Sequence, residues 1–366
     1  MSHDADGSAV AERGLVGAAA GVATFDEERP GAVRRVQNFF HQYPTAIPAI
    51  ILFLAVIVFG FVTRGQFFGA LNLSLILTQV TLIALLGTAQ TLVIITAGID
   101  LSVGAIMVLS SIIMGKLAVD FQVPVPLAFA AGILTGTACG FINGILVTML
   151  RLPPFIVTLG TWSIFAALIT LISQAATIRK VDLEANSPFL LEMGERISLG
   201  NGPGGTPAGG PFLMYGSILM IAVALIVMYM LGRTAFGRHV YAIGDDPDAA
   251  RLAGIQVNRR LIAVYTLAGL ICAIAGWVLI GRVGAVSPLG NQTANLDAIT
   301  AVVIGGTSLF GGRGSVIGTL FGALIVGVFD SGLSLTGVNP LWRQLTVGAL
   351  IIIAVSLDQW IRRVSS

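Results

Sequence analysis

The sequence predicts an all-α polytopic membrane protein of about ten transmembrane helices, in two related five-helix halves of inverted orientation. Three observations predict it. Apolar residues make up 55% of the 366 and charged residues only 10%, far below the roughly 25% of a soluble domain. Charge-free runs of about 20 residues recur along the chain, each long enough to cross roughly 30 Å of hydrocarbon. The same order of features also appears twice, five spans apart.

Residues 1–45 are polar and Ala/Gly-rich, with acid and base mixed in "FDEERPGAVRR". No short apolar core with a cleavage site follows the start, so a disordered cytoplasmic tail is expected rather than a signal peptide. It ends in a basic anchor at Arg34 and Arg35. The membrane domain, 46–362, follows. Its apolar spans read as 46–62, 73–97, 101–119, 124–149, 155–174, 212–231, 260–280, 298–312, 315–335 and 344–361. The run 298–312 is too short to cross unaided.

An even number of spans puts both termini on one side, and the positive-inside rule chooses the cytoplasm. Arg13, Arg29, Arg34, Arg35, Arg151, Arg233, Arg238, Arg251, Arg259, Arg260, Arg313, Arg362 and Arg363 then lie inside, against seven of the 20 basic residues elsewhere. The bias is densest over 233–260. The longest interruption, 175–211, contains "NGPGGTPAGGP" and is expected as a flexible loop on the outer face. A net charge of +2 gives no footprint for nucleic acid.

The repeat rests on three paired features. Asp100 in "AGIDLSVGA" falls between spans two and three, and Asp297 in "ANLDAIT" between spans seven and eight. Gly132, Gly136, Gly140 and Gly144 line span four; Gly314, Gly318 and Gly322 line span nine. "RLPPF" precedes span five and "NPLW" precedes span ten. Five is odd, so the second half inserts with the opposite orientation. Glycines at four-residue spacing let helix backbones approach closely, which suits packing within the chain or a dimer seam.

Catalytic and metal chemistry find no residues to work with. "GGTSLFGGRGS" lacks the Gly-Lys-Ser/Thr of a phosphate loop. No His-Glu-x-x-His, Cys-x-x-Cys or Gly-x-Ser-x-Gly occurs, and His3, His41 and His239 form no constellation. Cys139 and Cys272 lie inside apolar runs and read as packing residues. Neither a resident cofactor nor a catalytic residue is expected in this chain.

A polar solute path is the remaining possibility. Asp100 is placed to cap a helix beginning at Leu101, with Ser102 in its first turn. Alternatively, broken backbone there lines a pathway. Asp297 has the same two readings. Asn72, Gln79, Gln90, Asn143, Asn291 and Asn295 are neutral polar residues in or beside spans, and Phe155 and Trp162 supply aromatic faces. Together they are the candidates for contact with a neutral polyol, although helix–helix hydrogen bonds account for many such groups.

The stretch "AIGDDPDAARLAGIQVNRR", 242–260, is unlike the rest, with three Asp and three Arg between long apolar runs. Asp246 can serve as N-cap, Pro247 fits the first helical position and Asp248 adds charge to the first turn. Arg251 stands near the other end, and Gly254 can take the left-handed position that closes a helix. About seven residues are too few for a helix stable alone in water. It needs a dock, either on its own membrane domain or in a soluble cytoplasmic partner.

Over residues 45–362 the chain resembles the permease subunits of bacterial ABC importers of monosaccharides, the ribose, xylose and fructose branch. The likeness rests on "TAGIDLSVGA", "GFINGILVTMLRLPPFIVTLGT", "AIGDDPDAARLAGIQVNR" and "AVVIGGTSLFGGRGSVIGT", in that order. The resemblance implies a homodimer in the bacterial inner membrane with a central substrate path. It implies two cytoplasmic ATP-binding subunits, using ATP and Mg, and a periplasmic sugar-binding protein that delivers solute. It makes Gly244, Asp245, Asp246, Pro247, Ala249, Ala250, Arg251, Leu252 and Gly254 the coupling helix gripped by the ATPase. The rival reading, an ion-coupled secondary transporter acting alone, would want an ionisable group buried mid-span. Asp100, Asp297, Asp330 and Asp358 are instead expected near span ends.

Overall fold

The computed structural model describes residues 45–201, 210–290 and 293–339, with isolated positions from 341 to 356. The N-terminal tail to residue 44, Asn291 and most of the span expected at 344–361 lie outside the described residues.

The described chain is almost entirely helical. Its elements are α1 (Ala46–Val62), α2 (Ala70–Ile95), α3 (Val103–Gly115), α4 (Val125–Met149), α5 (Pro154–Ser173) and α6 (Lys180–Asn186). After a two-stranded hairpin, β1 (Arg196–Ser198) and β2 (Phe212–Met214), come α7 (Tyr215–Arg233), α8 (Ala235–Asp245) and α9 (Pro247–Leu252). The chain continues through α10 (Val257–Val283), α11 (Ala294–Ile304) and α12 (Val316–Leu335). A wider turn, Lys116–Asp120, extends α3. Seven of these helices, α2, α3 with its extension, α4, α5, α7, α10 and α12, are long and apolar enough to cross a membrane; α1 and α11 are shorter apolar helices. The chain is thus an all-α polytopic membrane protein.

α2, α3 and α10 form the interior. α10 packs against α4, α3 and α2, and α2 in turn against α12, α11 and α7. From Val80 onward α2 is almost entirely buried, and Leu92 to Ile95 are wholly enclosed. Helices at the margin turn apolar side chains outward, including Phe53 and Phe61 on α1, Ile164 and Leu171 on α5, and Ile226 on α7. That pattern is the one lipid requires, since tails solvate such side chains as well as a protein core does.

Close packing therefore has to come from small residues. A methyl group at Gly140 would overlap the Tyr265 carbonyl oxygen, and one at Gly144 would lie 2.8 Å from the Ile262 Cα. The first glycine ladder thus seats α4 on α10, with Gly132 against Met114 of α3. The second seats α12 on α11, through Gly318 against Gly305 and Gly322 against Ala301. Both ladders are seams within the chain. Cys139 and Cys272 are buried free thiols.

The interruption at 175–211 differs from the featureless flexible loop that its composition suggests. The glycines and prolines are concentrated at its C-terminal end, whereas the part before them carries α6, a tight turn at Pro188–Gly194 and β1. Leu183 and Leu190 are fully buried. Phe189 stacks on Trp277 of α10 at 4.9 Å between ring centroids and accepts its indole N–H at 3.3 Å. Phe129 of α4 meets both rings edge-on. Aromatic burial of this kind fixes that earlier part on the helices beneath.

Candidate functional site: a polar break and a capped hairpin

Between α2 and α3 the backbone leaves helical geometry for seven residues, of which Thr96, Gly98, Asp100 and Ser102 are buried, Ile99 and Leu101 half-buried and Ala97 exposed. α2 ends with the Gly98 N–H bonded to Val93 O at 3.1 Å and Ala97 N–H to Ile94 O at 2.9 Å. This closure needs a left-handed residue, and here it is Ala97, with φ of 60°. An L side chain in that conformation is strained by roughly 1–2 kcal/mol.

The peptide groups that follow are paired by side chains from three helices. The Thr158 hydroxyl of α5 donates to Ile99 O at 2.9 Å and accepts from Leu101 N at 3.2 Å. Gln90 of α2 lays its amide along the Asp100 peptide. Its nitrogen donates to Asp100 O and its oxygen accepts from Asp100 N, both at 3.1 Å. Asn295 of α11 donates to Leu101 O at 3.2 Å. In lipid an unpaired peptide group costs several kcal/mol, so irregular backbone survives only where protein satisfies it in this way.

Side chains of the break complete the cluster. Asp100 Oδ1 accepts from the Ser102 N–H at 2.8 Å and from its hydroxyl at 2.6 Å. Asn143 of α4 donates to the same hydroxyl at 2.8 Å. Gln90, Asp100, Asn143 and Asn295 are all buried. Asn143 Oδ1 and the Tyr265 hydroxyl oxygen are buried without a hydrogen-bond partner. The sequence expectation for Asp100 needs one correction. α3 starts at Val103, and Asp100 shapes the turn before it rather than capping a helix at Leu101. Leu101 and Ser102 form a turn, so the helix begins two residues later than the local pattern implies.

The first turns of α3 and α11 adjoin, with the space beside Gly104 closed by Ala294 and Asn295. The two helices then diverge. α3 ends against Val286, whereas α11 ends against Gly318 of α12. Asp297 lies within the first turn of α11 and accepts from the Thr293 hydroxyl at 3.3 Å.

Other candidates lie elsewhere. Asn72 bridges Phe67 O and the Ser331 hydroxyl, both at 2.8 Å, tying α2 to α12. Gln79 is half-buried on α2, with Oε1 lacking a partner. Phe155 and Trp162 face outward on α5. Sequence reasoning did not single out Thr158. A span threonine usually bonds its own preceding turn, and Pro154 O, 3.0 Å from the Thr158 hydroxyl, competes with Ile99 O for its single proton.

The second region, 234–257, is a helical hairpin. Thr234 caps α8 by accepting from Gly237 N. Asp246 ends α8 and starts α9, its Oδ1 accepting from Asp248 N at 2.9 Å and Ala249 N at 3.0 Å. Pro247 occupies the first helical position. At the other end Gly254 takes φ of 83°. Its N–H bonds Arg251 O at 2.9 Å, and the Ile255 N–H bonds Ala250 O at 3.0 Å. Arg251 pairs with Asp248 at 2.7 Å. Ile243, Ala250 and Val257 form a small separate core beneath, lined by Ala242, Ile255 and Leu261. The caps and first position read from the sequence are the ones found here. Every remaining residue of α9 is exposed, and Leu252 is 91% exposed.

Tyr241 of α8 donates to Gly314 O at 2.8 Å, fixing the hairpin to the glycine-rich turn before α12. Partial burial holds its phenol above the usual range, so it stays a neutral donor.

Apolar spans, interrupted helices meeting at a polar break, and an exposed hairpin define a multi-pass membrane protein. Residues 72–355 match the family described as the permease component of the branched-chain amino acid transport system, and the chain belongs to that family. It is 52% identical over 355 residues to the fructose import permease protein of Rhizobium meliloti, covering 97% of this chain and 96% of that one. It is 38% identical over 312 residues to the ribose import permease protein of Bacillus subtilis, 85% and 92% of the two chains. Against the xylose transport system permease protein of Escherichia coli the identity is 35% over 362 residues, 87% and 91%. No solved structure matches the chain.

Proposed function

We propose that this chain is the membrane subunit of an ATP-driven importer that carries a monosaccharide, a pentose or hexose, across the bacterial inner membrane. The sugar-named relatives, matched over nearly the whole chain, support the solute class. The observation that carries the ATP-driven reading is α9, a six-residue helix capped at both ends with its one large apolar side chain, Leu252, exposed. So short a helix persists because its ends are satisfied. An apolar tip among charges is what a partner's pocket would enclose.

In this reading two copies form the path, and Gly244 to Gly254 seat in a cytoplasmic ATP-binding subunit, which uses ATP and Mg. A periplasmic binding protein delivers the sugar. The ten-helix layout in inverted halves accords with α3 and α11, two short helices whose N-termini adjoin and whose axes diverge. Both chain termini are then cytoplasmic. Nucleotide-driven closure of the ATPase pair moves the hairpin as a rigid body and switches the path from outward to inward.

Reconstitution tests the reading. Vesicles holding this chain with its ATPase should take up labelled fructose, ribose or xylose only with ATP and binding protein. Uptake by the chain alone, driven by an ion gradient, would sink the proposal in favour of a secondary transporter. Asp246→Arg should abolish uptake while the protein still inserts.

A further inference from the structure

The hairpin and the polar break touch, and they do so through backbone. Gly244, at the end of α8, lies against the last turn of α2, where a methyl group on it would overlap the Ile95 carbonyl oxygen. The same added methyl would stand 2.6 Å from the Gly312 amide nitrogen. Gly312 in turn donates to Ile95 O at 2.9 Å. A methyl on Gly311 would lie 2.6 Å from Gly244 O and 2.9 Å from the Ala97 Cβ. Three chain segments, 244–245, 95–97 and 311–312, thus meet chiefly through backbone, with the Ala97 methyl and the Asp245 carboxylate the side-chain groups beside the contact. Tyr241, three residues before Gly244, braces the glycine turn through Gly314 O at 2.8 Å.

Two physical features make this contact more than packing. Side chains can absorb a displacement by changing rotamer, whereas abutting backbones cannot. Second, Ala97 sits in this contact in the left-handed region, and strained residues of that kind persist where their surroundings over-determine them, often at switches. Three residues further on lies Asp100, whose peptide is held by Gln90.

We propose that Gly244, Ala97 and Gly312 form a backbone joint through which the α8–α9 hairpin displaces the polar break, with Tyr241 and Gly244 as positioning residues for transport. The proposal rests on the reading of α9 as the ATPase-coupled element. In it, movement of the hairpin shifts the end of α2. The bonds of Gln90, Thr158 and Asn295 to residues 99–101 then pass that shift to α5 and α11.

The test uses the assembled importer in lipid vesicles, with Cys139 and Cys272 replaced by Ala and a reporter cysteine at Ile99. Maleimide labelling of the reporter is timed without nucleotide and with ATP plus vanadate; this readout does not depend on which sugar is carried. The unmodified joint should show a nucleotide-dependent change in labelling rate; Tyr241→Phe should reduce that change about threefold at normal ATPase content, and Gly244→Ala should reduce it about tenfold. Uptake per ATP hydrolysed should fall in parallel. A nucleotide-dependent change of full size in Tyr241→Phe, or no change with the joint intact, would overturn the proposal. Should Gly244→Ala fail to assemble, Tyr241→Phe decides, because it removes one oxygen and adds no volume. Leu252→Arg separates the two levels of inference. Normal ATPase content and uptake in that variant would defeat the coupling reading, whereas lost ATPase there with unaltered joint variants would defeat the joint alone.

Discussion

The polar break and the hairpin are both short, charged interruptions of an apolar chain, but they are stabilised in opposite ways. The hairpin is local: Asp246 satisfies amides two and three residues ahead, and the Gly254 closure spans five positions. The break is held largely from afar, by partners 41, 57, 59 and 194 residues away, together with Gln90 of the adjoining α2. Solvent explains the difference. An exposed helix end needs only its caps, since water serves the other groups. A peptide inside a membrane protein has no water to fall back on, so each polar group must be met by a side chain from a neighbouring helix.

The comparison predicts a graded series. The largest effect should come from Gln90→Leu, which leaves two buried groups of the Asp100 peptide unpaired at about 1–3 kcal/mol each. Unfolding in detergent–denaturant mixtures should show a loss of that order, and a loss below 1 kcal/mol would mean the break is less dependent on tertiary partners than argued. Next is Ala97→Gly, which relieves the left-handed strain and should raise stability by about 1 kcal/mol. A lower melting midpoint in that variant would show that the Ala97 methyl contact outweighs the strain.

Of similar size but opposite sign, Asp246→Ala should cost about 1 kcal/mol. Because the cap is local, the loss should appear as faster amide exchange confined to 247–254. Exchange that spreads into α2 would break the contrast between the regions. Smaller still is Arg251→Ala, whose pair with Asp248 is exposed and should contribute no more than about 0.5 kcal/mol, falling with salt. Leu252→Ala should leave stability unchanged and weaken only ATPase association, measured by co-purification.

How far each region could be read from sequence follows the same division. Asp246, Pro247 and Gly254 lie within nine positions, and their roles were legible because capping depends on neighbours in the chain. The spans were legible too, since length and the absence of charge decide what crosses lipid. Asp100 stands out in the sequence with two readings, a cap at Leu101 or broken backbone, and only the structure shows the turn that precedes α3. Thr158 carried no signal of its own, because a threonine that bonds its own helix and one that also clamps a distant peptide look the same in a sequence.

The sequence by itself determined the membrane class, the position of nearly every described span and the caps of the α8–α9 hairpin. These depend on composition and on interactions closing within one or two helical turns. Only the tertiary structure decided that Gln90, Thr158, Asn143 and Asn295 converge on one break, and that Gly244 meets Ile95 and Gly312 backbone to backbone. Such contacts join residues far apart in the chain, where periodicity carries no information. What selects them is the requirement that buried peptide groups be paired and helices be close-packed, and that is settled only when all the helices are in place.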